Sequence, residues 1–118
     1  MQLFNYHKPT SLDEASSLYR MAEDPIYLGG GMTLIPTMKQ RLASPTDVID
    51  LSGIDQMRGV VVSRKSVSIG ALTCHNEIAN NAEIQSTLPV LSSLAKLIGD
   101  NQVRNRGTLG GSIANSDP

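Results

Sequence analysis

The stretch Ile26-Tyr27-Leu28-Gly29-Gly30-Gly31-Met32-Thr33-Leu34 sets the architecture of the first part of this chain. A short apolar strand runs into three glycines, and a helix is expected to begin at Leu34. Glycine adopts positive φ and lets the backbone approach a bound group closely. Successive backbone N–H groups at such a turn can form a concave anion site. The Thr33 hydroxyl could donate to a phosphate oxygen or cap the helix. A tight strand-to-helix connection that binds nothing is an equally good interpretation of this turn alone.

A second glycine turn, Thr108-Leu109-Gly110-Gly111-Ser112, follows about eighty residues later. Two such turns in one small chain suggest a cradle for a pyrophosphate. Their spacing is not the dinucleotide fingerprint, which argues against a nicotinamide-type Rossmann site. Asp117 follows the second turn closely enough to be a candidate ligand contact. Arg104 and Arg106 precede the second turn. They could raise the local positive potential for a pyrophosphate, pair with a partner subunit, or be solvent-exposed charges on a loop.

The residues around the first turn alternate between strand and helix patterns. Phe4 and Tyr6 indicate a strand, and Ser11 with Glu14 forms a capping box before a helix to about Glu23. The segment 34–42 predicts a second helix, and 47–51 a buried strand. This βαβαβ order predicts a small parallel sheet in a subdomain spanning 1–52.

The pattern changes after Ser52. Segments 57–62 and 66–72 predict two antiparallel strands, and Thr73 is expected to cap a helix to Asn81. A longer helix is expected from Thr87 to a stop at Gly99; its apolar stripe is predicted to be Leu91, Leu94, Ala95 and Ile98. The predicted fold class is therefore α+β, with a small parallel subdomain followed by a mainly antiparallel second subdomain over 53–118.

Composition narrows the function classes for this chain of 118 residues with a net charge of −1. The charge argues against nucleic-acid binding, and no apolar run approaches the roughly 20 residues that span a bilayer. The N-terminus lacks a secretory pattern, so a cytoplasmic location is expected. The lone Cys74 cannot form an internal disulfide or hold an iron–sulfur cluster. Cys74-His75 is interpreted as a partly buried cysteine and a surface histidine rather than a metal or nucleophile site. We expect no catalytic acid–base residue and no metal ligand in this chain.

Three segments together resemble the FAD-binding (medium) subunit of molybdenum hydroxylases, including xanthine dehydrogenase-like and carbon monoxide dehydrogenase-like enzymes. They are 28–34, 69–73 (Ile-Gly-Ala-Leu-Thr) and 102–115 (Gln-Val-Arg-Asn-Arg-Gly-Thr-Leu-Gly-Gly-Ser-Ile-Ala-Asn). The family's flavin domain has two subdomains with FAD between them. It continues beyond the position of Pro118 with a flavin-contacting aspartate, a strand-rich stretch and a further subdomain. We therefore expect the chain to be the N-terminal part of such a domain and to self-associate through surface left uncovered. When isolated, it is expected to be inactive and to bind FAD weakly or not at all.

The resemblance implies that the first turn holds the FAD diphosphate with its backbone and that the second approaches the same diphosphate. The implied FAD contacts in the first turn are Leu28, Gly29, Gly30, Gly31, Met32, Thr33 and Leu34. Those in and after the second turn are Thr108, Leu109, Gly110, Gly111 and Ser112, to which Asp117 is added. Many carbon monoxide dehydrogenase-like members carry histidine and serine where this chain has Met32 and Thr33, so one polar contact is absent and the hydroxyl is kept. Valine at Gly30 or Gly110 is expected to abolish flavin binding, through loss of space and strain at positive φ.

The function implied is that of an FAD-binding electron-transfer component. In the family, electrons pass from a molybdenum site through two iron–sulfur clusters to FAD. The molybdenum cofactor and the clusters are expected on partner subunits, not on this chain. The alternative is an assembly module or fragment that keeps the fold without binding flavin, and a binder of another phosphate ligand is a third option.

Overall fold

A computed structural model describes residues 3–116, and the chain divides into two compact units, Met1–Asp55 and Gln56–Pro118. The first unit contains a parallel sheet and the second an antiparallel hairpin with helices. The predicted fold class, a parallel α/β part followed by an antiparallel α+β part, is confirmed. That each unit is an FAD-binding subdomain stays a prediction.

The first unit is a three-stranded parallel sheet with two helices. Its elements are β1 (Asn5–His7), α1 (Leu12–Met21), β2 (Pro25–Leu28), α2 (Leu34–Lys39) and β3 (Asp47–Asp50), followed by a 3-10 turn at Leu51–Gly53. A second 3-10 turn, Asp55–Met57, spans the boundary between the two units. The strand order is β1-β3-β2, so that Tyr6 and Ile26 both pair with Val48 of the central strand. Val48 and Ile49 are buried, as expected for a central parallel strand.

The Ser11 N-cap at the start of α1 forms as predicted, and Glu14 reaches back, but to the residue before the cap and not to Ser11 itself. The Glu14 N–H donates to Ser11 Oγ (3.1 Å), and the Glu14 carboxylate accepts from the Thr10 N–H (3.2 Å). The helix ends at Met21, two residues earlier than expected, because Pro25 already begins β2. Helix α2 is also shorter than predicted and ends at Lys39.

The second unit is a two-stranded hairpin with five short helices. Its elements are β4 (Val60–Val62), β5 (Val67–Ile69), α3 (His75–Asn80), α4 (Ala82–Thr87), α5 (Pro89–Lys96), α6 (Asn101–Arg106) and α7 (Leu109–Ala114). The two strands are antiparallel, as predicted. The buried core is formed by Ile78, Ala79, Ile84 and Ala95, and partly buried side chains pack against it: Val60, Val67, Ile69, Leu91 and Leu109.

Three details of the second unit correct the sequence predictions. Helices α4 and α6 are additional to the predicted ones, and Thr73 does not cap α3. Thr73 is fully buried, and its hydroxyl accepts from the Gly59 N–H and donates to the Gly59 carbonyl, so Cys74 occupies the N-cap position.

The predicted apolar stripe of α5 is only partly buried. Leu94 is 61% exposed, and Ser92 is buried instead because its hydroxyl donates to the Ala79 carbonyl (2.6 Å). The helix ends at Lys96, so Gly99, at φ +49°, lies beyond the helix end rather than directly at it.

Within residues 3–116, no helix is long and apolar enough to cross a membrane.

Candidate functional site

The first glycine turn lies at the carboxyl edge of the parallel sheet. It joins the end of β2 to the start of α2, and Leu28 pairs with Asp50, the last residue of the central strand. In open parallel α/β sheets, ligands bind at this edge, where the loops that follow the strands meet. The turn therefore has the position that a ligand-binding loop needs.

The backbone N–H groups of this turn are unused. Among the hydrogen bonds within residues 3–116, none has the N–H of residues 30–34 as its donor. The first N–H of the segment to be paired is that of Ile35, which donates to the Gly31 carbonyl (3.1 Å). The exposed side chain of Thr33 makes no capping hydrogen bond, so its hydroxyl is also available. Five successive N–H groups and a hydroxyl are thus available to solvent or to a ligand that can accept hydrogen bonds.

Gly31 is the residue of this turn that must be glycine. Its φ is +79°, and a Cβ at this position would lie 2.6 Å from Ile35 Cδ1 and 3.2 Å from Leu28 Cδ1. Gly30 is not among the glycines with positive φ, so the strain predicted for a substitution at Gly30 applies to Gly31 instead. The side chains of Ile35 and Leu28 pack against Gly31 and leave no room for a Cβ at this position. The turn thus keeps a conformation in which several backbone donors are unpaired, as a diphosphate would require.

An apolar cavity of about 190 Å³ adjoins the turn within the first unit. It is lined by Phe4, Tyr6, Leu28, Leu34, Ile35, Met38 and Val48. Because Leu28 and Leu34 flank the glycines, the cavity and the free N–H groups are neighbours. An apolar recess therefore lies beside a row of free backbone donors.

Two carboxylates of the first unit are held by side chains of β1. Burial alone would raise the pKa of Asp50, but hydrogen bonds from the Tyr6 hydroxyl and the Ser52 N–H outweigh it and hold that pKa below its usual value. The same hydrogen bond raises the pKa of Tyr6. Asp47 accepts from His7 Nε2 (2.7 Å), which lowers the pKa of that carboxyl. Both carboxylates are engaged within the sheet, which supports a structural role for them.

The N–H groups of the second glycine segment, residues 109–112, are already hydrogen-bonded to other atoms of the chain. It is the first part of α7, with Thr108 as N-cap. The Gly111 N–H donates to Thr108 Oγ1 (3.0 Å), and the Ser112 N–H donates to the Thr108 carbonyl (3.1 Å). The other two N–H groups, of Leu109 and Gly110, donate to carbonyls of the turn at residues 70–73. Their acceptors are the carbonyls of Thr73 (3.1 Å) and Ala71 (2.8 Å). The expectation of a concave site of free backbone N–H groups is therefore wrong for this segment.

The predicted reason for glycine at position 110 also needs correction. Gly110 is helical and has no positive φ, and a Cβ there would lie 2.7 Å from the Ala71 carbonyl oxygen. Glycine at this position allows two backbone segments to approach, so Gly110→Val would disrupt packing whether or not flavin binds.

His75 is buried, 3% exposed, and not the surface residue that the sequence predicts. Its backbone N–H donates to the Gly107 carbonyl (3.0 Å), and its ring Nε2 lies 3.0 Å from Ser112 Oγ. Cys74 is partly buried, as predicted, and burial raises the pKa of its thiol. Within residues 3–116, no group of three His, Cys, Asp or Glu side chains could hold a metal ion.

Arg104 has a structural role that the sequence did not reveal. Its guanidinium donates to the carbonyls of Lys96, Ile98 and Gly99, at 3.0 to 3.3 Å, and so closes the end of α5. Arg106 is exposed. Asp117 lies outside the described residues.

Comparison with known proteins shows the family to which the chain belongs. The family model for the FAD binding domain in molybdopterin dehydrogenase matches residues 2–118. The carbon monoxide dehydrogenase medium chain of Hydrogenophaga pseudoflava is 44% identical over 116 residues, 98% of this chain and 40% of that one. The glyceraldehyde dehydrogenase medium chain of Sulfolobus acidocaldarius is 39% identical over 115 residues, 98% of this chain and 41% of the relative.

Solved structures agree with this relationship. A reconstituted CO dehydrogenase from Oligotropha carboxidovorans has a TM-score of 0.94 at 38% identity, over 99% of this chain and 41% of that one. The chain spans about 40% of the length of the curated relatives that it matches. The predicted resemblance is confirmed: this chain belongs to the family of FAD-binding domains of molybdopterin dehydrogenases.

Proposed function

We propose that this chain binds FAD through the turn at residues 29–34 and belongs to the FAD-carrying, electron-transferring component of a molybdenum-containing hydroxylase. The observation that carries the proposal is the row of unpaired N–H groups at residues 30–34, in a chain whose family is defined by FAD binding. A diphosphate accepts several hydrogen bonds at once, and backbone donors supply them without adding charge.

The protein's part in this function is to bind and orient. The turn would hold the diphosphate, with the Thr33 hydroxyl as a further donor, while the Met32 side chain adds no hydrogen bond. When bound, flavin supplies the capacity to accept and pass on electrons. No side chain of the described residues is assigned to proton transfer.

The second half of the predicted site stays a prediction. The N–H groups of Leu109 to Ser112 are already hydrogen-bonded to other atoms of the chain. A contact from these residues to a ligand would therefore use a side-chain hydroxyl. Asp117 likewise stays a predicted contact.

The partners are proposed from the relatives' names. Those relatives are medium chains of carbon monoxide and glyceraldehyde dehydrogenases. By analogy, we propose that other subunits carry the molybdenum cofactor and the iron–sulfur clusters, and that this component receives electrons from them.

Amide NMR of the chain during titration with ADP and FAD tests the proposal, because weak binding is still visible as shift changes. We expect saturable shifts of the amide signals of residues 30–34 with both ligands and none with adenosine, which lacks the diphosphate. Gly59 is the internal control, since its N–H is already donated to Thr73 Oγ1 (3.0 Å). No saturable shift with FAD up to millimolar concentration would refute the proposal and favour the module that keeps the fold without binding flavin.

A further inference from the structure

Met32 is an exposed methionine in the middle of the row of free N–H groups at residues 30–34. Its side chain is 40% exposed, and its own N–H is one of those that find no acceptor within residues 3–116. Met38, on the helix that follows, is buried instead. A thioether sulfur is only a weak hydrogen-bond acceptor, so the Met32 side chain leaves the neighbouring donors free. The turn thus places an oxidisable side chain beside unpaired backbone donors.

Oxidation by a peroxide would turn this side chain into a polar hydrogen-bond acceptor. Hydrogen peroxide transfers an oxygen atom to the thioether sulfur of Met32: an S–O bond forms, the peroxide O–O bond breaks, and water leaves. The sulfur is oxidised and the peroxide is reduced. The product, methionine sulfoxide, can be reduced again by enzymes that are each specific for one of its epimers. The chemistry is therefore reversible.

The sulfoxide oxygen of Met32 would be able to reach the N–H groups of Thr33 and Leu34. It is separated from its own Cα by as many bonds as the side-chain oxygen of glutamine, and glutamine accepts from free backbone N–H groups at the starts of helices. Nothing in the described part of the first unit competes for these two donors, since the Thr33 side chain makes no capping hydrogen bond. A sulfoxide at position 32 would therefore find partners without displacing any existing contact.

We infer that Met32 is a redox switch of the first turn, whose sulfoxide oxygen accepts from the N–H groups of residues 33 and 34 and so competes with a phosphate ligand for them. The inference rests on the proposed function, because the ligand that loses its donors is the one proposed there. It adds regulation to that function. The reduced chain binds the ligand, the oxidised chain binds it less tightly, and reduction of the sulfoxide restores the free donors.

The first test is amide hydrogen exchange, measured by NMR on the ligand-free chain before and after treatment with hydrogen peroxide. Mass spectrometry confirms that Met32 is oxidised. We expect slower exchange at residues 33 and 34 in the oxidised chain, because these N–H groups gain an acceptor. Unchanged exchange there with Met32 fully oxidised would overturn the inference, whatever the outcome of any binding experiment.

The second test is ADP titration of the reduced and the oxidised chain. We expect oxidation to weaken binding by about tenfold, the effect of one hydrogen bond that the ligand must replace. Met21 supplies the matched control: it is 85% exposed at the end of α1, so it is oxidised as well. Met21→Leu should lose as much affinity on oxidation as the unsubstituted chain, whereas the affinity of Met32→Leu should not respond to peroxide. Met32→Gln, which carries a permanent acceptor, should bind more weakly than Met32→Leu without any peroxide.

The comparison of these variants separates the switch from general oxidative damage. Met32→Leu keeps every other oxidisable side chain, including the partly buried Cys74. An equal loss of affinity by Met32→Leu on oxidation, or an oxidised chain that binds as tightly as the reduced one, would overturn the inference and leave the proposed function intact. Treatment with the sulfoxide-reducing enzymes should restore both the exchange rates and the affinity. Absence of ADP and FAD binding by the reduced, unsubstituted chain would instead refute the proposed function, and this inference with it.

Discussion

Gly31→Ala is the substitution that most directly tests the geometry of the first turn. An L-residue in the left-handed region costs about 1–2 kcal/mol, and Gly31 has φ +79°. The new Cβ would also lie 2.6 Å from Ile35 Cδ1, the end of a flexible side chain, and moving it off its rotamer costs about 0.5–1.5 kcal/mol. Alanine restricts the unfolded chain, which offsets about 0.4–1 kcal/mol. The expected net loss of stability is about 0.5–3 kcal/mol.

Urea denaturation followed by tyrosine fluorescence measures this loss where it occurs. The chain has no tryptophan, and Tyr6, Tyr19 and Tyr27 all lie in the first unit. Tyr19 and Tyr27 stack with ring centroids 4.7 Å apart, so their environment changes when this unit unfolds. We expect a lower midpoint with an unchanged slope.

Gly59→Ala is the matched control for ligand binding. Gly59 also has positive φ, at +118°, and no atom lies within 4 Å of the point that a Cβ would occupy, so alanine there adds backbone strain alone. We expect Gly31→Ala to abolish the ADP-induced amide shifts at residues 30–34 and Gly59→Ala to keep them. Unchanged stability of Gly31→Ala together with normal ADP shifts would refute the reasoning about this turn.

Three further substitutions each test a contact within one of the two units. Arg104→Ala should lower the free energy of unfolding by about 1.5–3 kcal/mol because three carbonyls lose a charged donor. Urea denaturation followed by the far-ultraviolet circular dichroism of the helices measures this loss, since the second unit has no tyrosine, and Arg106→Ala, at an exposed position, is the control. Ser11→Ala should cost about 1 kcal/mol through loss of the N-cap of α1, measured by the same tyrosine signal. Because the folded pKa of Asp50 lies below its usual 3.8, its contribution is present above that pH and is lost as the pH falls further. Tyr6→Phe, which removes a hydrogen bond to Asp50, should therefore reduce stability at neutral pH and flatten its acid dependence; an unaltered acid profile would contradict this account.

The parts of the fold that rest on local rules could be predicted from the sequence. The N-cap at Ser11 and the alternation of strand and helix before Ser52 each depend on residues close in the chain. The boundaries were less accurate because they depend on competition between neighbouring elements. Pro25, for example, begins β2 and stops α1 before its apolar pattern ends.

The second unit was harder to predict because its determinants are not local. Thr73 looks like a helix cap in the sequence, but its hydroxyl is taken by Gly59, fourteen residues earlier. Ser92 is buried only because the Ala79 carbonyl lies opposite it. His75 and Arg104 each find partners on other segments, and no periodicity in the sequence indicates such pairings.

The two glycine segments show why composition alone did not reveal their chemistry. The first precedes a six-residue helix and the second forms the first turn of one, and both were expected to expose N–H groups. The second meets the turn at residues 70–73, whose carbonyls lie within hydrogen-bonding distance and accept its donors. The first leaves the end of a strand at the edge of a sheet, where no described backbone offers acceptors to residues 30–34. A glycine-rich turn is therefore an anion site only where the fold withholds other acceptors from it, and this condition is met at Gly30–Leu34 in the part of the chain that the structure describes.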